Sequence, residues 1–488
     1  MPQQPVQMPP QPPSQNQTQQ VPAAPARKSI LKNKKVLLLA GGIFCIILLL
    51  IAILTAVLQE DKPVEPETVE LTFWARSLTE EQMTPLIEAF EAENPYIKVT
   101  YEEQSPSNYK ERMLTRLERG DASVLPDILE LDEVWIPEIY PYLNIIQENN
   151  DIPSRYATIP LENNKVIVAT QSNINQYLYG VPFRFDALAL AYNDSHLAAK
   201  GFDATDFNKL DWSSLLIRSK DLVQTRTEQS GRFGQYDMLE RGGLAIGSPE
   251  NVTNAPEIVQ LLLVQNNAEI YDRVEQRYVL GEKFEEVMEF YNNFAIEEVW
   301  NTSFENDLEA FADGDVSMVL VRSQDIDRIN ELNEGLQFTT VLPAKIGGIR
   351  NLSLSRSLVI PAVNPYYAQT ITFLEFISRP EHGISLFESS RETSETFIPA
   401  QVDSLNQLPS DSPFAVYSDI NPSAEVFKTY DYVETTKLMN EYLVNTYRNV
   451  YDRLEPGQPI RDFPVNAEIL ERELNTIIPT PTPSPNAQ

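Results

Sequence analysis

The fold of this chain is decided by residues 67–101, which read ETVELTFWARSLTEEQMTPLIEAFEAENPYIKVTY. Apolar residues alternate in Val69–Phe73, as they do in a strand with one buried face. Thr79 followed by Gln82 makes a capping-box pattern, which predicts the start of an amphipathic helix. The helix is predicted to end at Asn94, and the alternating pattern returns after it.

The segments that follow repeat this order of strand and helix. Residues 97–101 alternate as a strand, residues 109–119 show a helical pattern, and residues 126–131, PDILEL, form a more continuously apolar strand. Strands that alternate with helices in this way form βαβ units on a parallel sheet. Ligands bind beyond the carboxyl ends of such strands. We therefore expect residues 74–77 and 132–135 at one sheet edge, facing one another across a cleft.

Composition excludes several classes of function. The chain has 488 residues, of which 42% are apolar, and this argues for a buried core and against disorder of the whole chain. One cysteine, Cys45, and two histidines, His196 and His382, leave little material for a metal centre, so no cofactor is expected. The formal charge of −32 opposes binding to a phosphate backbone, so no nucleic-acid partner is expected.

Charge is divided unevenly along the chain. Residues 1–59 carry five basic residues and no Asp or Glu, so the remainder has a formal charge of −37, five units more negative than the whole. Residues 36–58, VLLLAGGIFCIILLLIAILTAVL, contain no charge and are long enough as a helix to cross a hydrocarbon core of about 30 Å. Because basic residues precede this run and acidic ones follow it, we expect an uncleaved single-pass membrane helix with the N-terminus in the cytoplasm.

Proline marks both ends of the chain. Residues 1–35 are predicted to be a disordered cytoplasmic tail, since Met1–Ala26 hold eight prolines and eight glutamines. Residues 59–69 are predicted to be a linker, and residues 476–488 a proline-rich C-terminal tail. The function is therefore expected in the region between them, outside the cell membrane.

Motifs spread over Val69–Arg448 follow the pattern of one family. They read LTFW (71–74), FEAENPYIKV (90–99), GDASVLPDIL (120–129), YGVPFRFDALALAYN (179–193), LDWSSLLIRSKDLV (210–223), FADGDVSMVLV (311–321) and LPAKIGG (342–348). In this order and spacing the chain resembles the family 1 extracellular solute-binding proteins of ABC importers, the maltose-binding-protein-like group. It departs from them at NNAEIYD (266–272), where a Gly-Gly turn is common, and in having a membrane span in place of a lipoprotein signal.

The resemblance implies a periplasmic-binding-protein-like fold of type II, an α/β fold in which two lobes are joined by crossing strands and close on a ligand by a hinge motion. Mapped by motif, lobe 1 would be residues 70–186 and 352–405, and lobe 2 residues 187–351 and 406–475. The resemblance also implies a receptor without enzymatic activity, a saccharide or related polar solute as ligand, and the permease subunits of an ABC transporter as partners.

The expected site combines flat aromatic rings, which pack on the C–H face of a sugar, with charged or amide groups, which bind adjacent hydroxyls. Most of the candidates follow predicted strands or lie in the first crossover that the resemblance implies, residues 182–186, and the resemblance adds an aromatic segment near the start of a late helix. The candidates are Trp74, Arg76, Asp132, Glu133, Trp135, Arg184, Asp186, Arg322, Gln324, Tyr430, Asp431 and Tyr432.

Other interpretations of these residues stay open at this point. Trp74 and Trp135 are also compatible with packing inside a lobe. Arg184 and Asp186 are compatible with a salt bridge that locks the hinge, and Arg322 with a solvated charge at a strand end. The arginines leave room for an acidic sugar or a phosphorylated polyol beside a neutral saccharide.

Two other classes of function also stay open. An acidic anchored ectodomain is compatible with a glycoside hydrolase, since that activity needs only two carboxylates roughly 5–10 Å apart. It is also compatible with a sugar-sensing ectodomain that acts with a partner.

Overall fold

In a computed structural model of the protein, the described part of the chain comprises residues 42–44, 46–51, 67–146, 158–160, 166–168, 173–174, 177–207, 210–230, 234–347, 350–391, 393, 395–420, 423–455 and 458–478. The chain divides into two units, residues 1–66 and 67–488. Within the first, residues 42–44 and 46–51 are helical. The rest of the predicted membrane span 36–58, with Cys45, and the predicted tail 1–35 lie outside the described residues.

No helix built from described residues has both the length and the apolar character needed to cross a membrane. The final residues of the predicted C-terminal tail, 479–488, and most of the predicted linker 59–69 also lie outside the described part.

The second unit alternates strands and helices along most of its length. Its strands are β1 (Val69–Ala75), β2 (Ile97–Glu103), β3 (Ile128–Asp132), β4 (Thr158–Pro160), β5 (Val166–Val168), β6 (Asn173–Ile174), β7 (Tyr177–Leu178), β8 (Gly180–Arg184), β9 (Ala189–Asn193), β10 (Gln224–Ser230), β11 (Gly234–Arg241), β12 (Tyr271–Asp272), β13 (Arg277–Tyr278), β14 (Met318–Val321), β15 (Phe338–Val341), β16 (Asn351–Ser353), β17 (Arg356–Val359) and β18 (Ala424–Val426).

The helices surround these strands. They are α1 (Glu80–Glu93), α2 (Tyr109–Arg119), α3 (Ile136–Ile139), α4 (Asp194–Ala199), α5 (Ala204–Phe207), α6 (Trp212–Leu222), α7 (Ala255–Gln265), α8 (Glu282–Ile296), α9 (Asp307–Asp313), α10 (Ser323–Leu332), α11 (Tyr367–Ile377), α12 (Pro380–Ser390), α13 (Val402–Leu405), α14 (Val416–Ile420), α15 (Tyr432–Tyr451) and α16 (Ala467–Thr476). Short 3-10 helices cover Glu133–Trp135 and Tyr140–Tyr142.

The first sheet has the strand order β2-β1-β3-β17-β8 among the described residues. Strand β1 pairs in parallel with β2 and β3, as the predicted βαβ order requires. Strand β17 pairs antiparallel with both β3 and β8, so a late segment of the chain completes a sheet that an early segment begins. The alternation predicted for β1 is confirmed, because Leu71 and Phe73 are fully buried.

Strand β3 is buried on both faces. Ile128 joins the large core, whereas Leu129 and Leu131 join a smaller cluster with the apolar face of α2. We call this smaller group the α2 cluster; its buried members are Tyr109, Met113, Leu117, Leu129, Leu131, Trp135, Ile136, Ile139, Leu143 and Val359. A strand covered on both faces explains the continuously apolar sequence of its segment.

The second sheet differs from the parallel arrangement that the first units predict. Its order is β14-β9-β15 among the described residues, and both outer strands pair antiparallel with the central β9. Helices α4, α5, α9 and α10 contact this sheet. Helix α7 is joined to it through Asn254, just before the helix, which donates to the Leu320 carbonyl of β14, and α7 contacts α15. We call the first sheet with its helices the first lobe and the second sheet with its helices the second lobe.

The chain passes between the two sheets at residues 185–188 and again between β15 and β17. The two crossing segments run side by side, since the Leu354 N–H donates to the Asp186 carbonyl at 2.8 Å and Ala187 forms a β-bridge with Ser353. The predicted boundary at Asp186 lies in the first connection. The residue limits assigned to lobes 1 and 2 stay predictions.

Helix α1 begins with the capping box that the sequence predicts. The Gln82 N–H donates to the Thr79 hydroxyl at 3.3 Å, and the Thr79 N–H donates to the Gln82 side chain at 2.7 Å. We expect Thr79→Ala to lower the free energy of unfolding by about 1 kcal/mol, measured by urea denaturation. The control is Thr84→Ala, whose exposed hydroxyl only bonds a carbonyl of the same helix. Equal losses in the two variants would contradict the capping assignment.

Candidate functional site

Arg76 and Asp132 meet at the carboxyl ends of two neighbouring parallel strands. Strand β1 ends at Ala75 and β3 ends at Asp132, and the two strands are paired. The Arg76 guanidinium lies 3.0 Å from the Asp132 carboxylate. The expectation that both segments reach one sheet edge is confirmed, although the contact lies within a single lobe.

Two aromatic rings enclose the Arg76 guanidinium. Its central carbon lies 4.7 Å from the ring centre of Tyr109 and 4.9 Å from that of Trp135. The Arg76 side chain is only 8% exposed, and Trp135 is 6% exposed. Cation–π contacts of this kind stabilise a desolvated guanidinium. The Trp135 ring therefore packs against Arg76 and the α2 cluster, which is the packing interpretation left open for it.

Trp74 has a similar place on the neighbouring strand. It is half-buried, packs against the α2 cluster, and has the Arg116 guanidinium 4.5 Å from its ring centre. The ring is thus covered by a side chain of α2. This geometry agrees with packing inside the first lobe rather than with a ring offered to a ligand.

Arg356 joins the same sheet edge from the late strand β17. The antiparallel register places it opposite Asp132, and its Nε donates to that carboxylate at 3.0 Å. A second donor of Arg356 reaches the Ser77 hydroxyl at 2.9 Å. Burial works against ionisation of Asp132, but Arg76 and Arg356 together hold its pKa below the ordinary value. The carboxylate is therefore charged and carries two guanidinium partners.

Two buried glutamates accept hydrogen bonds from residues at this sheet edge and so fix their positions. Glu130 is fully buried and accepts the backbone N–H groups of Arg76 at 2.6 Å and Ser77 at 2.9 Å. Glu133 is 1% exposed and accepts the Ser357 hydroxyl at 2.7 Å. Glu133 was predicted to face a ligand, but the structure places it between the strands, where it orients β17.

The first crossover carries the other charged candidates, and both are buried. Arg184 pairs with Glu395 and donates to the Ser323 hydroxyl at 3.2 Å. Asp186 accepts two bonds from Arg322, at 2.9 and 2.7 Å, and the Ser323 N–H at 3.1 Å. The alternative left open for these two residues, a salt bridge between Arg184 and Asp186, is absent among the described residues, because each has its own partner.

The Asp186 contacts connect the crossover to the second lobe. Arg322 directly precedes α10 and Ser323 is its first residue, so this helix begins at the Asp186 carboxylate. Burial opposes the charge of Asp186, while Arg322 and Arg184 hold its pKa below the ordinary value. Arg322 therefore donates two hydrogen bonds to one oxygen of the crossover carboxylate, which excludes the interpretation of it as a solvated strand-end charge.

Gln324 and the segment 430–432 come from the second lobe. Gln324 is half-buried in the first turn of α10. Asp431 caps α15 by accepting the Val433 N–H at 3.0 Å, and it also lies 3.0 Å from the Lys110 ammonium. Lys110 is the second residue of α2 in the first lobe and bonds Glu138 at 2.8 Å as well.

Tyr432 occupies the position between the lobes. It packs against both the large core and the α2 cluster. Burial raises the pKa of its hydroxyl, and the carboxylates of Glu257 and Asp132 act in the same direction. Tyr432 therefore stands among charged groups of both lobes, whereas Tyr430 packs on Tyr271 at 5.9 Å between ring centres.

Some site residues were not predicted from the sequence. Glu130 carried a signal, since it is an acid inside an otherwise apolar buried strand. Arg356, Glu395, Lys110 and Glu257 carried none, because each belongs to a segment whose position relative to the first strands is set by tertiary structure. No group of three or more metal-ligating side chains lies together within the described residues.

The arrangement can hold a polar solute by many hydrogen bonds. Partly exposed charged, amide and aromatic groups converge from both lobes; they are Asp132, Glu257, Arg322, Gln324, Arg356, Glu395, Asp431 and Tyr432. Beneath them lies a second set of charged or aromatic residues that is packed inside the protein; it comprises Arg76, Glu130, Glu133, Trp135, Arg184 and Asp186. The first set is available to a ligand, and the second positions the first.

The chain is similar to one protein family and to several solved structures. Residues 85–391 match the family model described as bacterial extracellular solute-binding protein. No curated protein matches the chain. Three similar solved structures are the sugar-binding protein MalE from Xanthomonas citri (18% identity, 84% of this chain and 96% of that chain, TM-score 0.61), RafE from Streptococcus pneumoniae (18%, 84% and 97%, 0.60) and an ABC transporter solute-binding protein from Thermotoga lettingae bound with α-D-tagatose (15%, 84% and 100%, 0.58). At these identities the likeness concerns the two-lobed α/β fold.

The Asp186 ion pair should dominate the stability of this region. Asp186→Ala leaves Arg322 without its carboxylate, and breaking a buried pair in this way costs about 3–5 kcal/mol of unfolding free energy. Because folding lowers the pKa of Asp186, its ionised carboxylate stabilises the folded state fully above pH 3.8. This stabilisation is lost as the pH falls below that value. Urea denaturation at pH 7 and pH 3.5 measures both effects.

The control for this variant is Asp221→Ala, since Asp221 is 52% exposed and lies 4.0 Å from Arg218. It should cost less than about 1 kcal/mol. A similar loss in both variants would contradict a structural role for the crossover carboxylate.

Proposed function

The chain belongs to the bacterial extracellular solute-binding proteins, and from this premise we propose that it captures a carbohydrate or related polar solute in the cleft between its lobes and delivers it to an ABC importer. The family indicated by the sequence motifs is thereby confirmed. Because this family is extracellular, it supports a solute-binding domain outside the cytoplasm. The observation that carries the proposal is the convergence of charged and aromatic side chains from both lobes around Tyr432.

The ligand we propose is a neutral saccharide. Each cleft arginine already has a carboxylate partner; the pairs are Arg76–Asp132, Arg356–Asp132, Arg322–Asp186 and Arg184–Glu395. An anionic ligand would have to compete with these carboxylates and would meet the further negative charge of Glu257. Hydroxyl groups carry no net charge and use the same donors and acceptors without breaking a pair. The tagatose complex of one structural relative supports a saccharide.

The proposed mechanism is a shift between open and closed forms. A ligand that contacts both lobes only in the closed form supplies the free energy of closure through its higher affinity for that form. The crossing segments at residues 185–188 and 342–355 are the hinge in this proposal, because they are the connections between the two sheets.

We propose that residues 36–58 anchor the chain in the cell membrane, with the binding domain outside, and that the closed form docks on permease subunits. The uncharged length of this segment and the basic residues before it support the anchor. A glycoside hydrolase or a sugar-sensing ectodomain is not favoured by the family assignment.

A panel of sugars tests the proposed function. Thermal melting of the full chain with neutral mono- and oligosaccharides, sugar phosphates and uronic acids should show a rise in melting temperature for neutral members, since ligand binding stabilises the folded state. Small-angle scattering with such a ligand should show a smaller radius of gyration. Turnover of an oligosaccharide at catalytic rates, or no response to any member of the panel, would overturn the receptor proposal.

The contact between Lys110 and Asp431 joins the lobes directly, so its removal should favour the open form. Asp431→Asn keeps an N-cap residue on α15 but loses the charge. We expect ligand affinity to fall roughly two- to fivefold, mainly through faster dissociation, as for a partly exposed ion pair of about 0.5–1 kcal/mol. Surface plasmon resonance measures both rates.

The matched control is Asp211→Asn, which changes the N-cap of α6, a residue without an ion pair in the described part of the chain. Unchanged dissociation in Asp431→Asn, or an equal effect in both variants, would contradict an interlobe role for the pair.

A further inference from the structure

We propose that Glu257 is a ligand-contacting acceptor that makes the cleft select solutes presenting a hydroxyl or ammonium donor and reject carboxylates and phosphates at this position. The inference rests on the proposed function and adds to it a residue that determines specificity. Nothing in the sequence pattern marks Glu257, which follows Pro256 in the first turn of α7 as many acidic residues do at helix starts.

The first turn of α7 is held firmly, which gives Glu257 a defined position. Asn254, just before the helix, donates to the Leu320 carbonyl at 3.1 Å and to the Asp325 carboxylate at 2.7 Å. One turn later, Gln260 donates to the Thr436 hydroxyl of α15 at 2.8 Å. The Glu257 side chain therefore stands between α7 and α15, next to the position of Tyr432.

Glu257 differs from the other cleft carboxylates because no arginine or lysine of the described residues forms an ion pair with it. Within the described residues its carboxylate forms no ion pair, and the one hydrogen bond that acts on it comes from its own backbone N–H, whereas Asp132, Asp186 and Glu395 each bind an arginine. The cation that acts on it is Arg322, and both Nε and a terminal nitrogen of Arg322 already bind Asp186. A half-buried carboxylate bonded only to its own backbone N–H still has acceptor positions free, so a donor from the ligand would be stabilising there.

Charge and access both agree with this role. Burial raises the pKa of Glu257, with Asp325 and Asp186 adding to the effect and Arg322 opposing it. Thr253, Val433, Thr436 and Glu257 line a groove between α7 and α15, so the carboxylate is reachable from solvent. A hydroxyl or an ammonium group of the ligand can donate a hydrogen bond to the Glu257 carboxylate. An anionic group would place a second negative charge beside this partly desolvated carboxylate.

Two variants of the full chain test the inference. Glu257→Gln removes the charge and keeps the shape, and Glu441→Gln makes the same change at an exposed position on the wall of the same groove. The first readout is thermal melting without sugar at pH 7.5. A carboxylate whose pKa is raised by folding destabilises the folded state at this pH, so Glu257→Gln should melt at the same temperature as the wild type or higher. A lower melting temperature would overturn the inference, because it would show that Glu257 stabilises the fold.

The second readout is binding of a matched set of probes: a neutral hexose, its 2-amino derivative, its uronic acid and its 6-phosphate. The wild type should bind the first two and discriminate against the last two. Glu257→Gln should bind the neutral and amino sugars about tenfold more weakly or worse, as for loss of a charged hydrogen bond, and should discriminate less against the anions. Glu441→Gln should match the wild type.

The outcomes separate the two proposals. Equal binding of the neutral and amino sugars by the wild type and Glu257→Gln would overturn the role of Glu257 and leave the receptor function standing. Tighter binding of the uronic acid or phosphate than of the neutral sugar by the wild type would overturn the selectivity. No binding of any probe by any of the three proteins would overturn both proposals.

Discussion

Arginine–carboxylate pairing at the junction of the two lobes is the interaction on which the rest of this structure depends. Guanidinium groups stay charged under all ordinary conditions, so each one that is withdrawn from water needs an anionic partner. Asp132 partners both Arg76 and Arg356, and through them an early strand and a late strand meet. Asp186 partners Arg322 and so ties the crossing segment to the start of α10. The pairs define where the sheets end and where the hinge begins.

The same pairing decides what the cleft offers to a solute. Because the arginines are committed to carboxylates, the partly exposed surface is made of hydrogen-bonding groups of mixed sign together with the ring of Tyr432. Glu257 then stands out, since it is a half-buried carboxylate that forms no ion pair within the described residues. The paired arginines and the unpaired Glu257 carboxylate together favour a solute with many hydrogen-bond donors. The aromatic rings that flank Arg76 serve the rigidity of this surface rather than its contact with ligand.

Local patterns were a good guide to the elements and a poorer one to the site. Alternation, capping box and the continuously apolar PDILEL segment predicted β1, α1 and β3, because these patterns record burial on one face, one stripe or both faces. The strand-end argument brought Arg76 and Asp132 to the same edge, since it depends only on parallel pairing. It failed to separate Trp74 and Trp135, which pack inside the first lobe, from Tyr432, which lies between the lobes. Whether a ring at a strand end is covered depends on α2, and its placement over the ring is a tertiary fact.

The sequence by itself determined the family, the alternation of strands and helices, the uncharged segment 36–58 and the acidic character of the remainder, because each of these is written in composition, order or period. Only the tertiary structure decided which charges are paired, since the partners Asp132 and Arg356, or Arg184 and Glu395, are separated by more than two hundred residues. It also decided that Lys110 meets Asp431 across the lobes and that Glu257 has no basic partner among the described residues. Pairing energies depend on distance and burial, and neither is local in the chain.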